Sequence, residues 1–252
     1  MKRSLSILGG GKSNQQIIIE ALGEARLAPY LEAANGNRKE ALRLYRWSVK
    51  LTAAVQETLG ITEVLIRNAI DQQLQEWNNA QKPTSTSWLL TEPASPLLGL
   101  INPKRREACR RAQKSVEHRS PNHPRYGQAP THDDVLANTM FGMWKDILPN
   151  HAPSANPEND ENKNRKFMWG QAVSKAFPNE YDPDGEKTYW RVSHLHLLRN
   201  RVSHMDSLLN VDVLDATHDA FALVNSIDSK LCDWLTGTST IRAIYGEKSK
   251  KK

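Results

Sequence analysis

Apolar residues recur every three or four positions through most of this chain, and no stretch shows the strict alternation of a strand. Leu44, Trp47, Leu51, Val55 and Leu59 make one stripe, and Ile61, Leu65, Ile70, Leu74 and Trp77 resume it beyond Gly60. That period belongs to a helix with one buried face. The segment is therefore expected to be a long helix or a helical hairpin and the backbone of the fold, with Gly60 a break or only a soft spot. Asn37, followed three residues on by Glu40, fits a capping box at its start. Ile17 to Leu31 can form one helix or two short ones, bent at Pro29. Further on, Thr131 with Asp133 and Asp134 opens a helix whose core positions are Val135, Leu136, Phe141 and Trp144. Phe167 to Phe177 resumes helix. Val211-Asp212 to Trp234 reads as a final amphipathic helix with Leu214, Phe221, Leu223, Val224, Ile227, Leu231 and Trp234 inward. The pattern predicts an all-α protein with no internal repeat.

The interruptions divide the chain. Residues 1–14 read as a flexible lead-in, 15–245 as a single helical domain, and 246–252 as a short basic tail. Gly9-Gly10-Gly11-Lys12-Ser13 imitates a phosphate loop, but the glycine required five positions before Gly11 is Ser6, and no βα pattern follows. Residues 81–102, rich in Pro, Ser and Thr, read as a connector. Residues 149–166 are polar and almost without apolar side chains, and are expected to be a mobile loop. Tyr181-Asp182-Pro183-Asp184-Gly185 is a turn.

That turn leads into the stretch with the most chemistry. Within an apolar-periodic run (Val192, Leu195, Leu197, Leu198, Val202, Met205, Leu208) stands Arg199-Asn200-Arg201-Val202-Ser203-His204. Arginine offers a rigid fork of donors for phosphate, and histidine gives and takes a proton near neutral pH. His196, Asn200 and His204 are spaced one turn apart on one helical face, whereas Arg199 is rotated from His204 by roughly 140°, so only its long arm brings the groups together. One such helix makes a poor active site; two packed antiparallel in a dimer surround a cleft with two arginines and two histidines. Each residue also has a plainer role open to it: a surface ion pair for Arg199, a cap at a kink for Asn200, a bond to a backbone carbonyl for His204.

At this hexapeptide the chain resembles the HEPN superfamily, whose signature is Arg, a polar residue that is often Asn, then three to five residues and His. Four further segments resemble, in order, those of the bacterial Abi-like (abortive-infection) family: Glu24 to Leu31, Leu44 to Trp47, Glu63 to Ile70 and Phe141 to Trp144. The resemblance runs from about residue 20 to 235. It implies a HEPN-like helical bundle, usually dimeric, and a metal-independent endoribonuclease of phage defence or toxin systems, with Arg199 and His204 as the catalytic pair and Asn200 as their polar helper. Such an enzyme needs no cofactor and no metal. His204 would deprotonate the ribose 2′-hydroxyl or protonate the departing 5′-oxygen, contributing on the order of a hundred- to ten-thousand-fold. Arg199 would stabilise charge on the phosphate. RNA would leave with a 2′,3′-cyclic phosphate. The expected partners are RNA, a second copy of the chain, and an antitoxin or regulatory RNA or protein. One departure stands out: the family often carries a second histidine directly after the first, and here that residue is Met205.

A second Arg-Asn pair, Arg67-Asn68, has Gln72 and Gln73 where a histidine would complete the motif. Arg67 stands four residues after Glu63 in the favourable order for an ion pair. The alternative use of Arg67 and Asn68, with His196, is to position substrate beside the Arg199–His204 cleft.

Charge changes the picture in one place. The chain carries a net +6, with a pI near 9.3, which favours an anionic partner. Lys104 to Arg125 holds eight basic residues against two acids, so the excess is concentrated there. Phosphate binding and a solvated helix face are equal readings of it. The same segment supports a rival function, a non-catalytic RNA- or partner-binding module of a defence complex. His118 and His123 make only a weak zinc case. Two cysteines, Cys109 and Cys232, lie far apart and fit a reducing cytoplasm. No apolar run approaches membrane-spanning length, and the apolar stretch after the basic Met1-Lys2-Arg3 is too short for a signal peptide.

Overall fold

The structure, a computed structural model, describes residues 13–248. The glycine-rich segment at 9–12 and residues 249–252, with three of the tail's lysines, lie outside that range. Every regular element among the described residues is helical, eleven α-helices and one short 3-10 helix, as an all-α reading requires. No helix among them is long and apolar enough to cross a membrane.

The stripe from Leu44 to Trp77 is one continuous helix, not a hairpin. It is preceded by α1 (Asn14–Leu22) and α2 (Glu24–Ala33), and α3 itself spans Arg38–Gln81, 44 residues or about 66 Å at 1.5 Å per residue. Asn37 caps α3, its Oδ1 accepting from the Glu40 amide at 3.1 Å. Gly60 does not break it, because buried side chains continue on both sides, Thr58 and Leu59 before and Thr62 and Ile66 after. Tertiary burial outweighs the roughly 1 kcal/mol a mid-helix glycine costs relative to alanine. The bend expected at Pro29 falls instead at Gly23, whose φ of +91° separates α1 from α2, while Pro29 is taken up within α2.

The remaining helices are α4 (Leu97–Glu117), α5 (His132–Ala137), α6 (Phe141–Ile147), α7 (Asp160–Gln171), a 3-10 turn (Val173–Ala176), α8 (Glu186–Ser203), α9 (Val213–Ile227), α10 (Ser229–Thr238) and α11 (Ile241–Tyr245). Helix α3 is the spine: α2, α8, α9, α11 and the 3-10 turn all pack along it. Helices α5, α6 and α7 pack on α4, and α6 also reaches α8. The helix carrying Arg199 is therefore wedged between the spine, α9 and α6.

Several expectations change. The connector at 81–102 is part of the core: Trp88 and Leu89 are fully buried, and the indole of Trp88 donates to Asp71 at 2.8 Å. The second half of the polar loop is helical, since α7 begins at Asp160, and Asn162 is buried with its side chain bonded to both the amide and the carbonyl of Asn150. The final helix is two, parted at Asp228, whose side chain caps α10. Leu214 and Trp234 face outward on them. The lead-in ends earlier than expected, with Ser13 already capping α1. The expected tail begins as docked chain: Lys248 sits over the Trp47 ring and donates to the Leu209 carbonyl, while its own carbonyl takes Arg43. Both cysteines are free.

Candidate functional site

Helix α8 is fixed at both ends by side chains and turns that its own sequence supplies. At its start, the buried Asp182 carboxylate accepts from the Lys187 amide at 3.2 Å, the Thr188 amide at 2.9 Å and the Thr188 hydroxyl at 2.8 Å. This satisfies amides that a helix N-terminus leaves orphaned. Gly185 makes the turn with φ +78°, a conformation glycine adopts without strain. At the other end, the Met205 amide bonds the Val202 carbonyl at 3.1 Å and the Asp206 amide bonds the Arg201 carbonyl at 3.0 Å. This is the double closure of a Schellman end, with Met205 at φ +54° in the position glycine normally fills. The Met205 carbonyl is held in turn by the Arg26 guanidinium of α2 at 2.9 Å.

His204 is therefore not inside the helix. It is the C-cap residue, φ −91°, exposed, with its amide on the Asn200 carbonyl at 3.2 Å and no side-chain partner among the described residues. Arg199 and Asn200 lie in the last turn, both half-buried. Arg199 points toward the spine, with its Nε 3.9 Å from Glu63 and its side chain still 42% exposed. Two apolar positions of the motif run face outward, Leu197 (67% exposed) and Met205. Leu197 lies on the same helical face as Arg201 and His204, four and seven residues on.

The acid of α3 pairs with Arg199, not chiefly with Arg67 as the four-residue spacing suggested. Burial raises the Glu63 carboxyl, and the charges of Arg199 and Arg67 act against that rise. Arg67 is half-buried, with its Nε enclosed and unbonded, and Asn68 is exposed on the outer side of the spine. The crease between the helices, lined by Leu59, Thr62, Glu63, Phe141, Leu195 and Arg199, has no room for even one water. Arg199, Arg67 and Glu63 are brought together. Among the described residues, no contact joins Arg199 to His204.

His196, three residues before Arg199 on α8, faces α6. Its ring lies 6.0 Å from Phe141. Gly142 opens a notch there: a Cβ built on Gly142 would stand 3.6 Å from His196 Nε2 and 3.7 Å from Lys104 Nζ, both ordinary contact distances. Lys104 donates to the Gly142 carbonyl at 3.1 Å and pairs with Asp146. Burial pushes the His196 imidazole below its ordinary value, and Lys145, Arg199 and Lys104 push it the same way, with Asp146 alone opposing. Lys145 is half-buried and makes no ion pair or hydrogen bond among the described residues. Sequence reasoning missed Lys104 and Lys145 as neighbours of His196. Some fifty to ninety residues separate them along the chain, and nothing local marks the juxtaposition.

The basic segment looks different once folded. Arg105 is buried and donates to the Leu89 carbonyl at 2.7 Å. Arg110 and Arg111 both grip Glu107, pulling its carboxyl down to about 2. Arg119 and Arg125 converge on Asp134 at 2.7 and 2.6 Å. Burial alone would raise that carboxyl, but bonds from Thr131 and the two guanidinium groups hold it well below the usual range. Part of the local charge is thus paired within the molecule.

Two further clusters were invisible in the sequence. Ser87 Oγ bonds His132 Nδ1 at 2.7 Å, and His132 Nε2 lies 3.0 Å from Asp71, so a serine, a histidine and an aspartate stand in a row. The serine is buried, and its Oγ accepts the amides of Leu89 and Leu90 at 3.2 and 3.0 Å. It is a structural clamp holding the Trp88 turn and α5 to the spine, closed to any substrate. His151, Asp184 and Glu186 bring ligand atoms within 4.8 Å of one another and have the donor chemistry for a divalent ion. They sit at the opposite end of α8, roughly 27 Å from His204 at 1.5 Å per residue. No family model, no curated protein and no solved structure matches this chain.

Proposed function

We propose that the chain is a metal-independent endoribonuclease of the HEPN type, acting in phage defence or as a toxin, with Arg199, Asn200 and His204 at its reacting centre. The observation that carries this reading is His204 itself: an exposed imidazole free of partners among the described residues, held at a rigid helix end, five residues after an arginine whose side chain is 42% exposed. A structural histidine would be bonded inward, as His132 is.

The separation of Arg199 from His204 within one subunit is what a composite site asks for. A second copy, packed across the face that displays Leu197, Arg201 and His204, supplies the missing neighbours and covers the exposed leucine. One imidazole then takes the proton from the ribose 2′-hydroxyl as that oxygen bonds to phosphorus. The bond from phosphorus to the 5′-oxygen breaks, and the partner's imidazole returns a proton to the departing oxygen. The guanidinium groups neutralise the phosphorane, and Asn200 orients the attacking group. Because the 2′-hydroxyl is the nucleophile, DNA is not cut. The rival, a non-catalytic binding module, would draw on the segment 104–125, where pairs of arginines share single carboxylates at Glu107 and Asp134.

The test is incubation of pure protein with end-labelled RNA in excess chelator. Cleavage yielding 2′,3′-cyclic phosphate termini, lost in both Arg199→Ala and His204→Ala, is the expected result. Cleavage by His204→Ala at the parental rate overturns the assignment.

A further inference from the structure

We propose that the notch over Gly142, ringed by Lys104, Lys145, His196 and Arg199, binds a phosphate group of the RNA backbone flanking the one that is cut. The inference rests on the nuclease reading for the identity of the ligand, but its geometry stands apart from it. Three helices deliver the ring: Lys104 from α4, Lys145 from α6, and His196 with Arg199 from α8.

Two of the four, Lys145 and His196, are short of partners in a way an anion corrects. Lys145 is half-buried and unpaired. His196 makes no hydrogen bond among the described residues, although its Nε2 faces the opening beside Lys104 Nζ. Asp146 neutralises Lys104 and Glu63 faces Arg199, so Lys145 supplies the uncompensated charge. An oxyanion seated there is met by the free charge of Lys145, by N–H donors of Lys104 and Arg199, and by one imidazole N–H, the kind of donor set that phosphate recognition uses. Gly142 keeps the floor open, since the backbone at that point carries no side chain between His196 and Lys104.

Position along the helix decides which phosphate. His196 precedes His204 by eight residues, about 12 Å along the axis, too far for one phosphate to touch both. Arg199 stands between the two and is shared. The notch therefore holds substrate in register while the cut is made at the helix end. Binding also changes the imidazole. His196 is held below its ordinary value by burial and by Lys145, Arg199 and Lys104. An anion cancels those charges and favours a proton on the ring. The groups facing it are Lys104 on α4, Phe141, Lys145 and Asp146 on α6, and Arg199 on its own helix.

Imidazole nitrogen and proton NMR of the full chain, titrated with pH in the absence and presence of inorganic phosphate, reads this directly. Phosphate is expected to shift the His196 resonances and raise its apparent pKa by half a unit or more. Lys145→Ala should weaken phosphate binding several-fold and reduce the salt dependence of RNA binding by about one counterion. A non-cleavable 2′-O-methyl RNA should displace phosphate from His196. If His196 does not respond to phosphate while RNA is still cut, the subsite is wrong and the nuclease reading survives. If His196 responds but no RNA is cut, the subsite stands and the nuclease reading fails. If RNA leaves the bound phosphate in place, the notch serves a free anion and the assignment to the RNA backbone is overturned.

Discussion

Gly185→Ala should destabilise the protein well beyond what its backbone conformation alone explains. At φ +78° an alanine meets the left-handed penalty, about 1–2 kcal/mol. The new Cβ would also lie 3.0 Å from Pro149 Cγ and from Trp169 Cδ2, and 3.1 Å from Pro149 Cδ. Neither neighbour can swing away, since one is a proline ring and the other a buried indole whose N–H donates to the Asp182 carbonyl at 3.1 Å. Overpacking of that kind costs about 1–3 kcal/mol. Against this, alanine restricts the unfolded chain and returns about 0.4–1 kcal/mol. The net loss is about 1–4.6 kcal/mol. Gly127 provides the control, with a similar φ of +72° and open space where a Cβ would go, so Gly127→Ala isolates the backbone contribution. Urea denaturation of both variants, with slopes confirmed equal to the parent's, gives the comparison. Equal losses for the two would refute the packing argument, and with it the account of how the start of α8 is held.

Two predictions concern the frame around the site. The hydrogen bond from Asp71 raises the His132 imidazole against the opposing effect of burial. A folded value above the unfolded one means stability that is complete below the ordinary histidine pKa of about 6.5 and fades as pH climbs through the folded value. The stability difference between the parent and His132→Gln should therefore shrink on going from about pH 5.5 to about pH 9, and a difference that grew over that range would contradict the assignment. Arg105→Ala should cost about 2–4 kcal/mol, because it leaves the Leu89 carbonyl with only the weak Cys109 thiol at 3.4 Å and empties core volume, whereas Arg110→Ala on the exposed side of the same helix should leave stability close to the parent's. Comparable thermal shifts for the two would mean Arg105 is not the anchor its contacts imply.

The helical character of the chain was legible because it depends on local period: the stripe from Leu44 to Trp77 needs no knowledge of what it packs against. Caps were legible for the same reason, at Asn37 and at the Thr131–Asp134 box. What escaped was whatever distance along the chain conceals. Arg105 sits in a run of basic residues that reads as surface, and only the fold shows its guanidinium under the Trp88–Leu89 turn. Leu197 fits the apolar period of α8 and is nonetheless exposed. The spacing of Glu63 and Arg67 suggests a pair within one helix, but the acid turns to Arg199 across the groove, because a partner on a packed neighbouring helix competes with one along the same face. At the motif, residue types were readable and orientation was not: the helix stops at Ser203, and its histidine lies beyond the last turn.

The closure at Met205 bears on how His204 meets anything at all. Helix ends fray, and a side chain on a fraying turn spends most of its time elsewhere. Here two backbone bonds and a guanidinium from α2 fix the Cα position of residue 204 before any ligand arrives. Only the two torsions of the imidazole remain to be chosen at encounter, so the ordering that recognition ordinarily demands of a loop has been completed during folding.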